Sequence, residues 1–120
     1  MKYTNLNYLT QRTKNNSELI MELISAYLEQ TPPLIRAMKQ GLQDKNWDRL
    51  YAAVHKMIPS FAIMGMNAEF EKMAKKIQDY AQTQQQTDEI PEMVLQLEDA
   101  CRHACQELEQ EFNRFKNIKS

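Results

Sequence analysis

The sequence has little of what sheets, membrane spans and nucleic-acid interfaces require. Its 120 residues include two glycines, and β-branched residues nowhere alternate with polar ones as in half-buried strands. No apolar run approaches the roughly 20 residues of a transmembrane helix, and MKYTNLNYLT at the start lacks the apolar block of a signal peptide. The 15 basic and 16 acidic residues give a net charge of −1, which does not indicate nucleic-acid binding. We therefore expect one all-α, cytoplasmic domain over residues 1–120, without membrane or nucleic-acid contacts.

Apolar residues that recur every three or four positions predict helices along the N-terminal half. A short helix is expected over Thr4–Thr10. The next begins at Ser17, with Leu19 in its buried stripe, and runs to the TPP sequence that starts at Thr31. Because proline suits the first turn of a helix but restricts the residue before it, Thr31 is predicted to cap a new segment that ends near Gly41. Whether the two segments are separate helices or one kinked helix stays open.

The C-terminal half predicts three more helices. The first runs from a cap at Asn46 to Gly65, and Asn67 caps the second. The polar segment Gln82–Thr87 is expected to be a flexible loop, and the last helix covers Asp88–Asn117. Short connections between long helices favour an antiparallel, up-and-down four-helix bundle with an additional short N-terminal helix. The buried stripe expected of the helix after Asn46 is Leu50, Val54, Met57, Phe61 and Met64.

The two cysteines do not form a plausible metal site with the histidine between them. On one helix Cys101 and Cys105 share a face, whereas His103 projects to nearly the opposite side. No further cysteine completes a zinc set, and a disulfide between positions i and i+4 of a helix has poor geometry. We expect buried free thiols that act as small hydrophobic groups, a solvated His103 and no bound metal.

His55 is the candidate functional residue. It lies about 140° from the middle of the buried stripe, so it points outward. No nucleophile pair, glycine-rich phosphate loop or HExxH motif accompanies it. An exposed histidine without a base beside it suits the acceptance of a group that a partner protein delivers and removes. Its neighbours on the outer face are mostly small and apolar, as at a docking surface: Asp48, Tyr51, Ala52, Ile58, Pro59, Ala62 and Met66.

Residues 53–60, AVHKMIPS, followed by MGM at 64–66, resemble the active helix of histidine-containing phosphotransfer (HPt) domains. The family pattern has an apolar residue two positions after the histidine, a small residue at the fifth, and an apolar residue and glycine at the ninth and tenth. His55, Met57, Ser60, Met64 and Gly65 fit this pattern.

The resemblance implies a phosphorelay intermediate that is a carrier and not an enzyme. His55 would accept a phosphoryl group from the phospho-aspartate of one receiver domain and pass it to another. The implied partners are response-regulator receiver domains or a hybrid histidine kinase. Mg²⁺ is expected only on the partner receiver, with no cofactor on this chain, which we expect to be a monomer.

Two positions depart from the family pattern. Many members carry lysine three residues after the histidine and glycine four after, where this chain has Ile58 and Pro59. The lysine is credited with holding the phosphoryl group, and a glutamine on the adjacent helix often approaches the imidazole. The candidates for these two roles here are Lys56, Lys75 and Lys76 for the cation and Gln78 for the glutamine. Because proline has no N–H, Pro59 also predicts a bend or loosening one turn after His55.

Two other hypotheses remain. A helical interaction module would use the apolar face around Ala52, Pro59 and Ala62 to bind a partner without phosphorylation, and the missing lysine is its best support. A metal-binding bundle is weaker, because the sequence lacks inward histidine or glutamate pairs at the needed spacing.

Overall fold

The computed structural model describes residues 2–84 and 89–119, without the side chains of residues 118 and 119. The described residues form five α-helices and no strand, which confirms the all-α prediction. None of these helices is both long and apolar enough to cross a membrane. The predicted helix start at Asp88 lies outside the described residues. The helices are α1 (Asn7–Arg12), α2 (Ser17–Gln43), α3 (Trp47–Ile63), α4 (Ala68–Thr83) and α5 (Ile90–Lys119).

The four long helices surround one hydrophobic core. α2 packs against α3 and α5, and α4 packs against the same two helices. The predicted stripe from Leu50 to Met64 is entirely buried, with each of its five side chains at most 2% exposed. Full burial of such a side chain contributes about 1.5–3 kcal/mol. One face of α3 therefore packs in the core, and the opposite face is exposed.

α2 is one continuous helix through the TPP sequence. Thr31 is buried within the interior of α2, so the prediction that it caps a new helix is wrong. Both prolines lie on the exposed side of α2, whereas the buried side continues from Tyr27 to Ile35 without a gap. Packing of this apolar side overrides the local preference of proline for a helix start.

The start of α2 differs from the predicted register by one residue. Asn16 caps the helix by accepting from the Leu19 backbone N–H at 3.1 Å. Leu19 is 38% exposed, whereas Ile20 is 1% exposed, so the predicted inward position of Leu19 is wrong. Apolar residues stand at both positions, and only the packing against the other helices decides which one faces the core.

Gly41 does not end α2 as predicted. The helix continues to Gln43, and Lys45 turns the chain at φ 55°. A Cβ at Gly41 would lie 2.8 Å from the backbone nitrogen of Leu50, so this glycine permits close approach of α3. Asn46 caps α3 by accepting from the Arg49 N–H at 3.2 Å, as predicted.

The end of α3 has the hydrogen bonds of a Schellman motif. The N–H of Met66 donates to the Phe61 carbonyl at 2.9 Å, and that of Gly65 donates to the Ala62 carbonyl at 3.1 Å. Gly65 has φ +65°, which confirms it as the residue that ends this helix. Asn67 then caps α4 by accepting from the Glu69 N–H at 2.9 Å, as predicted.

The N-terminal residues 2–6, here called the strap, cross the end of α3. The Asn5 N–H donates to the Met64 carbonyl at 2.9 Å. The Glu107 carboxylate of α5 accepts from the Tyr3 N–H at 2.7 Å, the Thr4 N–H at 2.9 Å and the Thr4 hydroxyl at 2.7 Å. These bonds hold Thr4 outside a helix, so α1 begins at Asn7 and the predicted start at Thr4 is wrong.

The predicted loop Gln82–Thr87 begins two residues too early. Gln82 and Thr83 belong to α4, whose C-cap is Gln84 in the left-handed region at φ 56°. The Gln84 N–H donates to the Tyr80 carbonyl at 2.6 Å. The remaining three residues of the predicted loop lie outside the described residues.

Candidate functional site

His55 is exposed at the middle of α3 and is held by side chains of α3 and α4. Its Nδ1 lies 3.3 Å from Oε1 of Gln78 on α4. Tyr51, one turn earlier on α3, stacks on the imidazole with ring centroids 5.7 Å apart and planes inclined by 10°. The amide nitrogen of Gln78 donates to the Tyr51 hydroxyl at 3.5 Å. The imidazole is therefore held with its plane parallel to the Tyr51 ring and with Nδ1 directed toward α4.

The contact with Gln78 favours the tautomer of His55 that carries the proton on Nδ1. An amide oxygen only accepts hydrogen bonds, so the contact is a hydrogen bond when Nδ1 is protonated. In the neutral ring the lone pair then lies on Nε2. Nε2 has no hydrogen-bond partner among the described residues. In that tautomer an unprotonated ring nitrogen is exposed on the outer face of α3.

A depression of about 340 Å³ lies beside the imidazole, between α3 and α4. The structure brings together here five residues predicted for the site and one that was not. The missed residue is Asp79, which is exposed. Its spacing from Lys75 and Gln78 could have identified it, because positions i, i+3 and i+4 share one face of a helix. The lining residues are His55, Ile58, Pro59, Lys75, Gln78 and Asp79.

The three candidate lysines lie in different surroundings. Lys75 lines the depression, and its Nζ is 3.9 Å from Oε2 of Glu71, one turn earlier on α4. Lys76 lines a separate groove between α4 and α5, with Tyr80 and Met93. Lys56 is exposed and is not among the residues that line the depression. Among the three candidate lysines, Lys75 is therefore the one that lines the same depression as the imidazole.

The predicted docking residues lie on the outer face of α3, with one exception. Asp48, Ala52, Pro59 and Ala62 are exposed, and Tyr51 and Ile58 are half-buried. α3 continues through Pro59 to Ile63.

Met66 is the exception. It is only 8% exposed and accepts a hydrogen bond on Sδ from the Tyr27 hydroxyl at 3.8 Å. Its predicted place on the docking surface is wrong, because α3 ends at Ile63 and Gly65 turns the chain inward.

Both cysteines are free thiols; Cys101 is buried in the core as predicted, whereas Cys105 is only half-buried against it. Burial raises the pKa of the Cys101 thiol to about 12 and that of Cys105 to about 11, and the neighbouring Cys105 adds to the effect on Cys101. Both thiols therefore stay protonated at neutral pH, as expected of small hydrophobic groups. No cluster of metal-ligating side chains occurs within residues 2–84 and 89–119.

His103 lies on the surface, as predicted. It is exposed on α5 and stacks on Tyr3 of the strap, with ring centroids 4.7 Å apart and planes inclined by 9°. Its Nε2 is 3.5 Å from a carboxylate oxygen of Asp99. This histidine therefore belongs to the packing of the strap and provides a second, differently placed imidazole for comparison with His55.

Comparison of the chain with protein-family models, with curated proteins and with solved structures gives no match.

Proposed function

We propose that this chain is a phosphorelay intermediate that accepts a phosphoryl group on His55 from the phospho-aspartate of a receiver domain and passes it to another receiver. The observation that carries the proposal is the exposed imidazole whose Nδ1 faces Gln78 Oε1 at 3.3 Å while Nε2 has no partner in the described part of the chain. The resemblance of residues 53–66 to the active helix of HPt domains supports it.

The transfer step needs little from this chain beyond a positioned nucleophile. The Nε2 lone pair attacks phosphorus in line, the N–P bond forms, and the P–O bond to the receiver aspartate breaks, releasing its carboxylate. Nδ1 keeps its proton, so the phosphorylated ring is an imidazolium whose N–H donates to Gln78. Phosphoryl transfer depends mainly on positioning and charge stabilisation, and the partner receiver supplies Mg²⁺. The chain is accordingly a carrier and not an enzyme.

Lys75 is the best-placed cation for the phosphoryl group in this proposal. The family lysine three residues after the histidine is replaced by Ile58, and Lys75 lines the same depression from α4. Its Nζ is 3.9 Å from Glu71, a loose pairing that a phosphoryl group can replace, because a charge-assisted bond to a phosphate is stronger. The charge that the family places on the histidine helix is thus supplied here by the neighbouring helix.

The partner in this proposal is a receiver domain or hybrid histidine kinase that docks on the outer face of α3. The exposed Ala52, Pro59 and Ala62 allow close approach of a partner helix, and Asp48 supplies a charge at one end. The proposed architecture is an antiparallel, up-and-down four-helix bundle of α2–α5 in a monomer, with α1 as the additional short helix. The packing of α2 and α4 each against α3 and α5, and the short connections of α3, support it.

Transfer from a purified receiver, phosphorylated with labelled phosphate, tests the proposal. The wild-type chain should acquire acid-labile, alkali-stable phosphate, and His55→Gln should acquire none. His103→Gln is the matched control, because His103 is the other histidine of the chain and should be dispensable. A stable complex without transfer would instead support the interaction module, which the apolar residues around His55 also suit.

The loss in His55→Gln must come from chemistry and not from unfolding. The imidazole is exposed, so its removal should change the free energy of unfolding by no more than about 0.5 kcal/mol. A loss of several kcal/mol, measured by urea denaturation, would show that His55 supports the fold and would remove the geometric basis of the proposal.

A further inference from the structure

Lys75 has a carboxylate one helical turn to either side of it on α4. Glu71 precedes it by four residues and Asp79 follows it by four, so either carboxylate is within reach of its ammonium group. Lys75 and Asp79 line the depression beside His55, whereas Glu71 does not. In the described part of the chain Lys75 pairs with Glu71 alone, at 3.9 Å between Nζ and Oε2.

The pairing with Glu71 draws the ammonium group of Lys75 away from the imidazole. Gln78 marks the level of His55 on α4, because its Oε1 lies 3.3 Å from Nδ1. Glu71 is seven residues before Gln78, which corresponds to about 10 Å along the helix axis. Lys75 lies between these two levels and therefore reaches toward the imidazole only when it leaves Glu71.

We infer that Glu71 is a positioning residue that lowers the affinity of His55 for the phosphoryl group by competing for Lys75. The inference rests on the proposed function, in which Lys75 stabilises a phosphoryl group on Nε2. Glu71 holds Lys75 to one side in the unphosphorylated chain. The phosphorylated chain gains its contact with Lys75 only when that pair breaks, so the net stabilisation of the phosphohistidine is smaller. Phosphate on His55 is then passed on more readily, as the role of a carrier requires.

The strength of the Glu71–Lys75 pair fits this role. The side chains of Lys75 and Glu71 are 60% and 37% exposed, so the pair is weak and reversible. Glutamate four residues before lysine is the favoured order of such pairs on a helix, whereas Asp79 follows Lys75 in the less favoured order. One exposed pair of this kind changes an equilibrium by about twofold. Glu71 therefore adjusts the equilibrium of phosphate transfer and does not prevent transfer.

Glu69 provides a matched control on the same helix. It lies in the first turn of α4, as Glu71 does, and pairs with Lys72 at 3.6 Å. Neither member of this pair lines the depression beside the imidazole. Glu69→Gln and Glu71→Gln therefore remove the same charge from the same helical turn, and only Glu71→Gln releases Lys75.

The test measures how labelled phosphate divides at equilibrium between His55 and a purified receiver. Transfer exchanges the O–P bond of the receiver aspartate for the N–P bond of His55. Docking contacts change the rates of both directions equally, so the equilibrium ratio reports the stability of the phosphorylated chain and not the interface. Glu71→Gln should raise the ratio of phosphate on His55 to phosphate on the receiver about twofold, and Glu69→Gln should leave it unchanged.

A double-mutant cycle shows whether Glu71 acts through Lys75. In a Lys75→Met background, Glu71→Gln should leave the equilibrium ratio unchanged. An equal rise with and without Lys75, or an equal rise in Glu69→Gln, would show that the loss of a negative charge is sufficient and would overturn the inference. An unchanged ratio in Glu71→Gln would also overturn it.

A second readout needs no phosphate. Carbon-13 relaxation of Lys75 Cε measures the picosecond-to-nanosecond mobility of this side chain. Glu71→Gln should increase that mobility and Glu69→Gln should not, and unchanged relaxation in Glu71→Gln would contradict the inference. A wild-type chain that accepts no phosphate would refute the proposed function, and the relaxation would still decide whether Glu71 holds Lys75. A wild-type chain that accepts phosphate, with an unchanged ratio in Glu71→Gln, would overturn this inference alone.

Discussion

Substitution of Gly65 by alanine should destabilise the fold for two separate reasons. Gly65 has φ +65°, where alanine is disfavoured by about 1–2 kcal/mol. The new Cβ would also collide with the carbonyl oxygen of Asn5, so the strap must move and its bond from Asn5 N–H to Met64 is lost. That bond is worth about 0.5–1.5 kcal/mol, so Gly65→Ala should lower the free energy of unfolding by about 1.5–3.5 kcal/mol in total.

Urea denaturation followed by circular dichroism measures this loss, and a double-mutant cycle separates its two parts. In a chain that lacks residues 1–5, Gly65→Ala should cost only the conformational part, about 1–2 kcal/mol. Lys45→Gly is the control of opposite sign, because Lys45 occupies the corresponding place after α2 at φ 55° and should gain about 0.5–1 kcal/mol. If Gly65→Ala lowers the free energy of unfolding equally in the full chain and in the chain without the strap, the strap does not cross over Gly65.

Four further predictions follow from the core, the strap and the site. Phe61→Ala should lower the free energy of unfolding by about 3–5 kcal/mol in chemical denaturation, because the ring is fully buried. Burial favours a higher pKa for Glu107, but the hydrogen bonds from Thr4 and the backbone N–H groups, with the charge of a nearby lysine, outweigh burial and hold the pKa below its usual range. The ionised Glu107 carboxylate therefore stabilises the fold above its unfolded-state pKa, and this stabilisation is lost as the pH falls through its folded-state pKa. The difference in melting temperature between wild type and Glu107→Gln should be largest near neutral pH and should shrink below about pH 4. Lys75→Ala should shorten the lifetime of the phosphohistidine while Lys56→Ala does not, and equal lifetimes would reject Lys75 as the phosphoryl-stabilising cation. Pro59→Glu should weaken receiver binding in titration calorimetry more than about tenfold by placing a desolvated charge in the interface, and undiminished binding would locate the docking surface elsewhere.

The helices could be predicted from the sequence where the apolar period was regular. The stripe from Leu50 to Met64 is buried as predicted, because a strict three- and four-residue spacing leaves one helical face for the core. The outward position of His55 follows from the same spacing. The caps at Asn46 and Asn67 were also predictable, since their side-chain oxygens accept local backbone hydrogen bonds.

The errors arose where tertiary packing decided between local alternatives. The TPP sequence is a helix-start signal in isolation, and only the apolar residues on both sides of it keep α2 continuous. The helical spacing places Met66 on the outer face of a helix that in fact ends three residues earlier. A glycine after an apolar stripe predicts a helix end, whereas Gly41 lies within α2 and permits the close approach of the Leu50 backbone. None of these outcomes follows from spacing along a single helix.

The candidate site could be predicted only in part. His55 follows from the motif, and Gln78 from the glutamine that the resemblance implies on the adjacent helix, but the depression that joins Lys75 and Asp79 to them depends on how α4 packs against α3. The orientation of the imidazole depends on Tyr51, which stacks on it from the same helix, and on the amide of Gln78, which reaches it from α4. A sequence shows which residues share one helix face but not which residues of two helices meet.

The position of the phosphoryl group on the imidazole tests the central claim most directly. After transfer from a phosphorylated receiver, phosphorus-31 and nitrogen-15 NMR identify the residue and the nitrogen that carry the phosphate. We predict a single phosphohistidine at His55 with the N–P bond on Nε2, the nitrogen that has no hydrogen-bond partner in the described part of the chain. Phosphate on Nδ1, on His103 or on no residue of the chain would contradict the account.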